Sequence, residues 1–234
     1  ERLLAKLPAP AVARHFTEFC SALRDAAADA SDLGDLMTRA RRRYEAIAHT
    51  RYLELPVSRL ARTNSYAVFA ASLLLDAERF ARQHNAELRE YRAASGTRSK
   101  AQPFPDLEAD EGWIEAPFWF VDGTGRRAVW VRSGGDSVVI SDRAGVFAEA
   151  DAARDDVARA IEGLPVLAPR ALTLTMFTRL FLGDLFIHGI GGGRYDAVTD
   201  AMIRRYLGIE PPPIAVVSLT MYLPLGAHVT TPGE

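Results

Sequence analysis

Asp184-Leu185-Phe186-Ile187-His188-Gly189-Ile190-Gly191-Gly192-Gly193-Arg194-Tyr195-Asp196 joins a short apolar run to four glycines and then to an amphipathic segment. It reads as a strand over 185–188, a bare turn over 189–193 and a helix over 196–207. Glycines lacking Cβ let backbone N–H groups approach a ligand closely, and the helix start beyond them favours an anion. Gly208 and Pro211-Pro212-Pro213 then stop the helix. The apolar run 214–223 suits a strand buried on both faces. Strand, helix and strand at this spacing predict a Rossmann-like βαβ unit with a parallel pair.

The glycine turn matches neither named phosphate motif. Counted from Gly189, the third glycine of the dinucleotide fingerprint would fall at Arg194, and no lysine followed by serine or threonine supplies a phosphate loop. What remains is a site for an amino-acid or nucleotide-like ligand, held by Gly189, Gly191, Gly192 and Gly193. Arg194 is placed to pair with an anionic group and Tyr195 to stack on the ligand. Asp196 is placed to meet an amine or cap the helix. His188 ends the strand where a crevice opens, so its imidazole is a candidate acid or base. The competing reading is a tight turn that lets the helix pack closely on the strand.

Upstream, Trp113-Ile114-Glu115-Ala116-Pro117-Phe118-Trp119 sets a carboxylate among aromatic rings. Alternation puts 113, 115, 117 and 119 on one face unless the proline makes a bulge. A carboxyl flanked by apolar rings is a further candidate catalytic acid or base. The segments 113–121, 127–131 and 137–141 are strand-like, with Asp122-Gly123-Thr124-Gly125 and Ser133-Gly134-Gly135-Asp136 as hairpin turns. They predict a small antiparallel meander. Helices are expected over 152–163 and within 172–182.

The first hundred residues are rich in alanine, arginine and leucine at helical spacing. Pro10 opens a helix to about Ala28, with Val12, Phe16, Phe19 and Leu23 on one stripe. Ser31 or Asp32 caps a second, which turns Leu33, Leu36, Tyr44 and Ile47 inward and ends near Thr50. A third starts after Thr63 or Asn64 and stops at Gly96, long enough for a helical arm or bundle. Beyond Gln102 the segment Pro103-Phe104-Pro105-Asp106 is an extended connector. The expected class is therefore α/β: a helical region over 1–102, then an α/β region over 103–234 holding the meander and the glycine turn.

Composition bounds the function. The 28 basic and 30 acidic residues leave a net charge of -2, which calls for neither nucleic acid nor an anionic membrane. Arg39, Arg41, Arg42 and Arg43 form the densest basic run and read as a solvated helix face. A single cysteine excludes an internal disulfide or a multi-cysteine metal framework and suits a cytoplasmic setting; Cys20 lies on an amphipathic helix and reads as packing. No apolar run approaches a membrane span, and no signal pattern opens the chain. The five histidines show no zinc spacing, no Gly-x-Ser-x-Gly elbow occurs, and no cofactor is assigned. His84, Asn85, Arg89, Tyr91, Arg92, Arg98 and Lys100 form a third cluster able to reach an anion. The start at Glu1 reads as a fragment or processed product, so a missing N-terminal segment or a second copy is expected to complete the site.

The last hundred residues resemble the C-terminal half of the cysteine-adding enzymes of bacillithiol synthesis. The likeness rests on a hairpin arginine such as Arg126 or Arg127, a Pro169-Arg170 region, the apolar strand entering the glycine turn, and the proline-preceded strand after Pro213. The resemblance implies a Rossmann-like core with a long helical arm, and a ligase or transferase that joins an amino acid to an amine. This chain departs from that family where Arg194-Tyr195-Asp196 stands in place of a glutamate and tyrosine. The chain also resembles an uncharacterised bacterial protein family carrying His-Gly-Ile-Gly-Gly, as at 188–192, and Glu-x-Pro-Phe-Trp, as at 115–119, which implies no activity. The alternative to an enzyme is a non-catalytic ligand- or protein-binding module that uses the long helical arm.

Overall fold

The computed structural model describes residues 10–46, 52–99, 101 and 103–220. Two compact units emerge, Glu1–Glu54 with Leu219–Glu234, and Leu55–Ser218. In the first, α1 (Pro10–Ala27) and α2 (Leu33–Ala46) pack as a hairpin, with Ala22, Ala26 and Ala40 buried. Their small side chains let the backbones approach closely. Asp32 caps α2 by accepting from Asp35 N at 2.9 Å. Leu33 is 74% exposed rather than inward, because it is the first helical residue beside that cap. Ile47 and Thr50 lie outside the described residues. Arg39, Arg41 and Arg43 pair with Asp35, Glu54 and Asp29, which accounts for three of the four arginines in the basic run.

The second unit is mixed α/β. Its sheet contains β1 (Ala109–Asp110), β2 (Trp113–Asp122), β3 (Gly125–Gly134), β4 (Ser137–Ser141), β5 (Val146–Asp151) and β6 (Val166–Pro169), all antiparallel to their neighbours. The path runs β1-β2-β3-β4-β5, and β6 lies against β2. The predicted meander is therefore the centre of a larger sheet. Ile114, Val131, Ile140 and Ala148 stand in register across four strands and face inward. The opposite face carries all three tryptophans, each beside a guanidinium: Trp113 by Arg132 at 4.6 Å, Trp130 by Arg143 at 5.2 Å and Trp119 by Arg170 at 4.0 Å. Stacked arginine shields rings that would otherwise meet water.

Helices close the inner face. A short α3 (Val57–Leu60) precedes α4 (Asn64–Leu75) and α5 (Ala77–Ser95). Thr63 caps α4 by accepting from Tyr66 N, and Gly96 ends α5 with a left-handed φ of 67°. The chain breaks at Asp76, with φ -118° and ψ 29°, so the single long helix expected over 64–94 is two. Nor is it an arm. Tyr66, Ala67, Phe69, Ala70, Ala71, Leu73 and Leu74 bury α4 on most of its circumference, and Phe80 and Leu88 pin α5 to the same core. Composition divides the chain near residue 102, whereas packing joins α4 and α5 to the sheet.

After β5, α6 (Arg154–Glu162), β6 and α7 (Ala171–Phe181) complete that core, where the Phe177 ring meets Tyr66 and Phe69 at 5.3 and 5.2 Å. Then β7 (Phe186–His188), α8 (Ile190–Met202), a π-helical turn (Ile203–Leu207) and β8 (Ile214–Val216) follow. β7 and β8 pair in parallel, and Val217 N donates to His188 O at 2.8 Å. β8 is shorter than the run 214–223 suggests and is not buried on both faces, since Val216 and Val217 are 54% and 57% exposed. Residues 221–223 lie outside the described residues. Among the described residues no helix is long and apolar enough to cross a membrane.

Candidate functional site

The site lies where β7 ends and α8 begins. Gly189 is the residue before the helix, with an extended ψ of 169°, and Gly193 N donates to Gly189 O at 2.9 Å to close the first turn. The glycines thus form the first turn of α8 itself rather than a bare loop, and the helix starts six residues earlier than the sequence pattern indicates. Glycine carries no side-chain period, so spacing cannot separate helix from loop there. No side chain caps this end. The N–H groups of Ile190, Gly191 and Gly192 consequently have no helical acceptor.

The four glycines play two roles. A Cβ on Gly192 would stand 2.4 Å from His188 Nδ1, and one on Gly193 would stand 2.5 Å from Val216 Cγ2. These two let α8 lie against both strands. A Cβ on Gly189 or Gly191 would meet nothing within 4 Å, so their approach side is open.

His188 is half-buried between the helix start and a buried charge network. Its Nδ1 edge faces Gly192, and its Nε2 lies 3.4 Å from Asp196 Oδ2 without a hydrogen bond. Asp196 is buried in the second turn of α8, where Arg179 Nη1 reaches the same carboxylate oxygen at 2.6 Å. It neither caps the helix nor stands free for a ligand amine, because Arg179 already neutralises it. Arg179 also lies 2.7 Å from Asp200 Oδ1 and donates to Pro212 O. One guanidinium therefore ties α7 to α8 and to the approach of β8. Arg194 is exposed. Tyr195 is 41% exposed and sits edge-on to Tyr91 at 6.3 Å.

Glu115 belongs to another place. Strict alternation does not run through this segment: the register shifts between Glu115 and Trp119, the bulge named as the exception at Pro117. Glu115 accepts from Arg170 and, at 3.1 Å, from Glu108 N, so both carboxylate oxygens are engaged. It shares no partner with His188 or Asp196, and the two clusters do not form one constellation. Arg179 and Asp200 were not singled out by motif. The only signal for Arg179 is a lone cation in the apolar run Leu172-Thr173-Leu174-Thr175-Met176-Phe177-Thr178-Arg179.

The third cluster fastens the connector to α5. Asn85 bonds Leu107 through both its amide oxygen and nitrogen at 2.8 Å, and Arg92 holds Asp106 at 2.9 Å and Phe104 O at 2.6 Å. His84 is buried, and desolvation pushes its imidazole below the usual 6.5. The folded state then binds fewer protons than the unfolded state just below pH 6.5. This contribution to stability is full above that value and is lost as pH falls through the depressed folded pKa. Urea midpoints taken from about pH 7.5 to about pH 5 should fall less in a His84→Gln variant than in the parent.

Among the described residues no group of three or more His, Cys, Asp or Glu is placed to hold a metal ion. No model of a known protein family, no curated protein and no solved structure matches the chain.

Proposed function

We propose that the chain binds an anionic group of an amino-acid or nucleotide-like ligand at the start of α8, and that β7, α8 and β8 serve as the Rossmann-like βαβ unit of a ligase or transferase. The observation that carries the reading is a helix start with no side-chain cap, beside two glycines, Gly189 and Gly191, where a Cβ would meet nothing within 4 Å. Arg194, exposed four residues into α8, adds a cation near that start. His188, with one ring edge toward that turn and the other toward the Asp196 carboxylate, is the group that moves a proton. The class of reaction follows from the resemblance to cysteine-adding enzymes; the helix start itself supports anion binding. The alternative of a non-catalytic binding module would have to use a surface other than a projecting arm, since α4 and α5 pack on the core.

Gly191→Ala tests this without disturbing the packing. Its Cβ meets no neighbour, so stability should hold or rise by about 0.5–1 kcal/mol, the usual gain for alanine over glycine within a helix. Amide spectra of 15N-labelled protein titrated with phosphate, ATP and amino acids should show Ile190, Gly191 and Gly192 moving in the parent, with affinity weakened about tenfold in the variant. Gly193→Ala is the packing control and should lose about 1–3 kcal/mol through overlap with Val216. If none of the three amides shifts with any ligand, the helix start is only a packing device.

A further inference from the structure

A cleft away from the start of α8 lies between α4, the start of α5, the end of α7 and the π-helical turn. Its volume is about 710 Å³, within the range of small-molecule sites. Val68, Phe69 and Leu73 of α4 line it. Phe181 and Leu207 border it and are 58% and 37% exposed, so large apolar side chains stand open to water at its mouth. Phe181 is held there rather than hanging loose, because its ring packs on Phe69 at 5.7 Å and Phe177 at 5.3 Å.

The polar side of the cleft has an unequal charge. Asp76 Oδ2 accepts from Arg79 Nε at 2.6 Å and from Tyr206 OH at 3.1 Å. Arg79 in turn donates to Tyr206 O at 3.0 Å and lies over the Tyr206 ring at 4.2 Å. Burial, with Asp76 beside it, pushes the Tyr206 phenol upward, so it stays a neutral donor. That knot satisfies its own charges. Arg154, the exposed first residue of α6, also lines the cleft and makes no ion pair among the described residues. Ser65 and Ser72 add hydroxyls to the lining. An apolar wall of Val68, Phe69, Leu73 and Phe181 with a guanidinium that no ion pair engages at its edge is complementary to a molecule with one anionic head and an apolar body.

We propose that this cleft binds a monoanionic amphiphile, an aliphatic or aromatic body bearing one carboxylate, with the body against Val68, Phe69 and Phe181 and the carboxylate on Arg154. Calorimetric titration of the full chain with decanoate and with decanol tests it. Decanoate should bind at least tenfold more tightly than decanol. Arg154→Gln, a change at an exposed position, should erase that difference while leaving decanol binding unchanged. Val68→Trp, which fills the cleft, should abolish both. Equal binding of the acid and the alcohol by the parent protein overturns the proposal, as does decanoate affinity that survives either substitution.

Discussion

Replacing Arg179 with methionine is expected to remove about 3–5 kcal/mol of stability, the cost typical of breaking a buried charge pair from one side. The guanidinium is 1% exposed and its partner Asp196 2% exposed, so neither is screened by water. Without Arg179 the Asp196 carboxylate remains buried, with only the His188 ring 3.4 Å away and no hydrogen bond to it. The Pro212 carbonyl and Asp200 lose the same partner, which frees the approach to β8 from α7. Urea unfolding of the variant should show the loss. The double variant Arg179→Met with Asp196→Leu should recover much of it, since removing both charges also removes their desolvation. If the single variant unfolds within about 1 kcal/mol of the parent, the network is a minor contributor. The same experiment bears on the α8 site, because the carboxylate that Arg179 holds is the one beside His188.

How far the sequence carried the fold depended on whether the decisive contact was local. Asp32, Thr63, Gly96 and Gly208 mark helix ends through contacts or φ values within a few residues, and their residue types announce them. The centre of the sheet was equally legible, since alternation in β2, β3 and β4 is punctuated by glycine turns. β5 and β6 escaped. Val146-Phe147-Ala148-Glu149-Ala150-Asp151 has weak strand preference, and Val166-Leu167-Ala168-Pro169 is short and ends in proline, so tertiary pairing alone makes them strands. The break at Asp76 was hidden because the helical period runs on through it. At the candidate site, the glycines and His188 were visible as types, but their division of labour was not. Whether a glycine faces solvent or a neighbouring ring is decided by β7 and β8, and the link from Arg179 to Asp196 spans 17 positions on separate helices.

Phe177→Ala should cost about 3–5 kcal/mol, as large-to-small changes at fully enclosed aromatic positions do. Phe177 has no exposed surface, and its ring is in edge or tilted contact with Tyr66, Phe69 and Phe181 at 5.2–5.3 Å. The cavity cannot close readily, because Tyr66 is itself packed against Phe118 of the sheet and its hydroxyl is buried without a partner. Phe177→Leu keeps most of the apolar volume and should lose a smaller amount, about 1–2 kcal/mol. The two values, read from urea midpoints at a common slope, separate a cavity cost from a change in the unfolded state. Phe177 and Arg179 sit two residues apart on α7 and point to different neighbours, one into the sheet core and the other into α8. Loosening the first should therefore shift the second. In Phe177→Ala, amide signals of α8 should broaden under native conditions before global unfolding begins, whereas Leu at the same position leaves them sharp. A variant equally destabilised but with α8 undisturbed would mean that the charge network holds the glycine turn independently of the aromatic core.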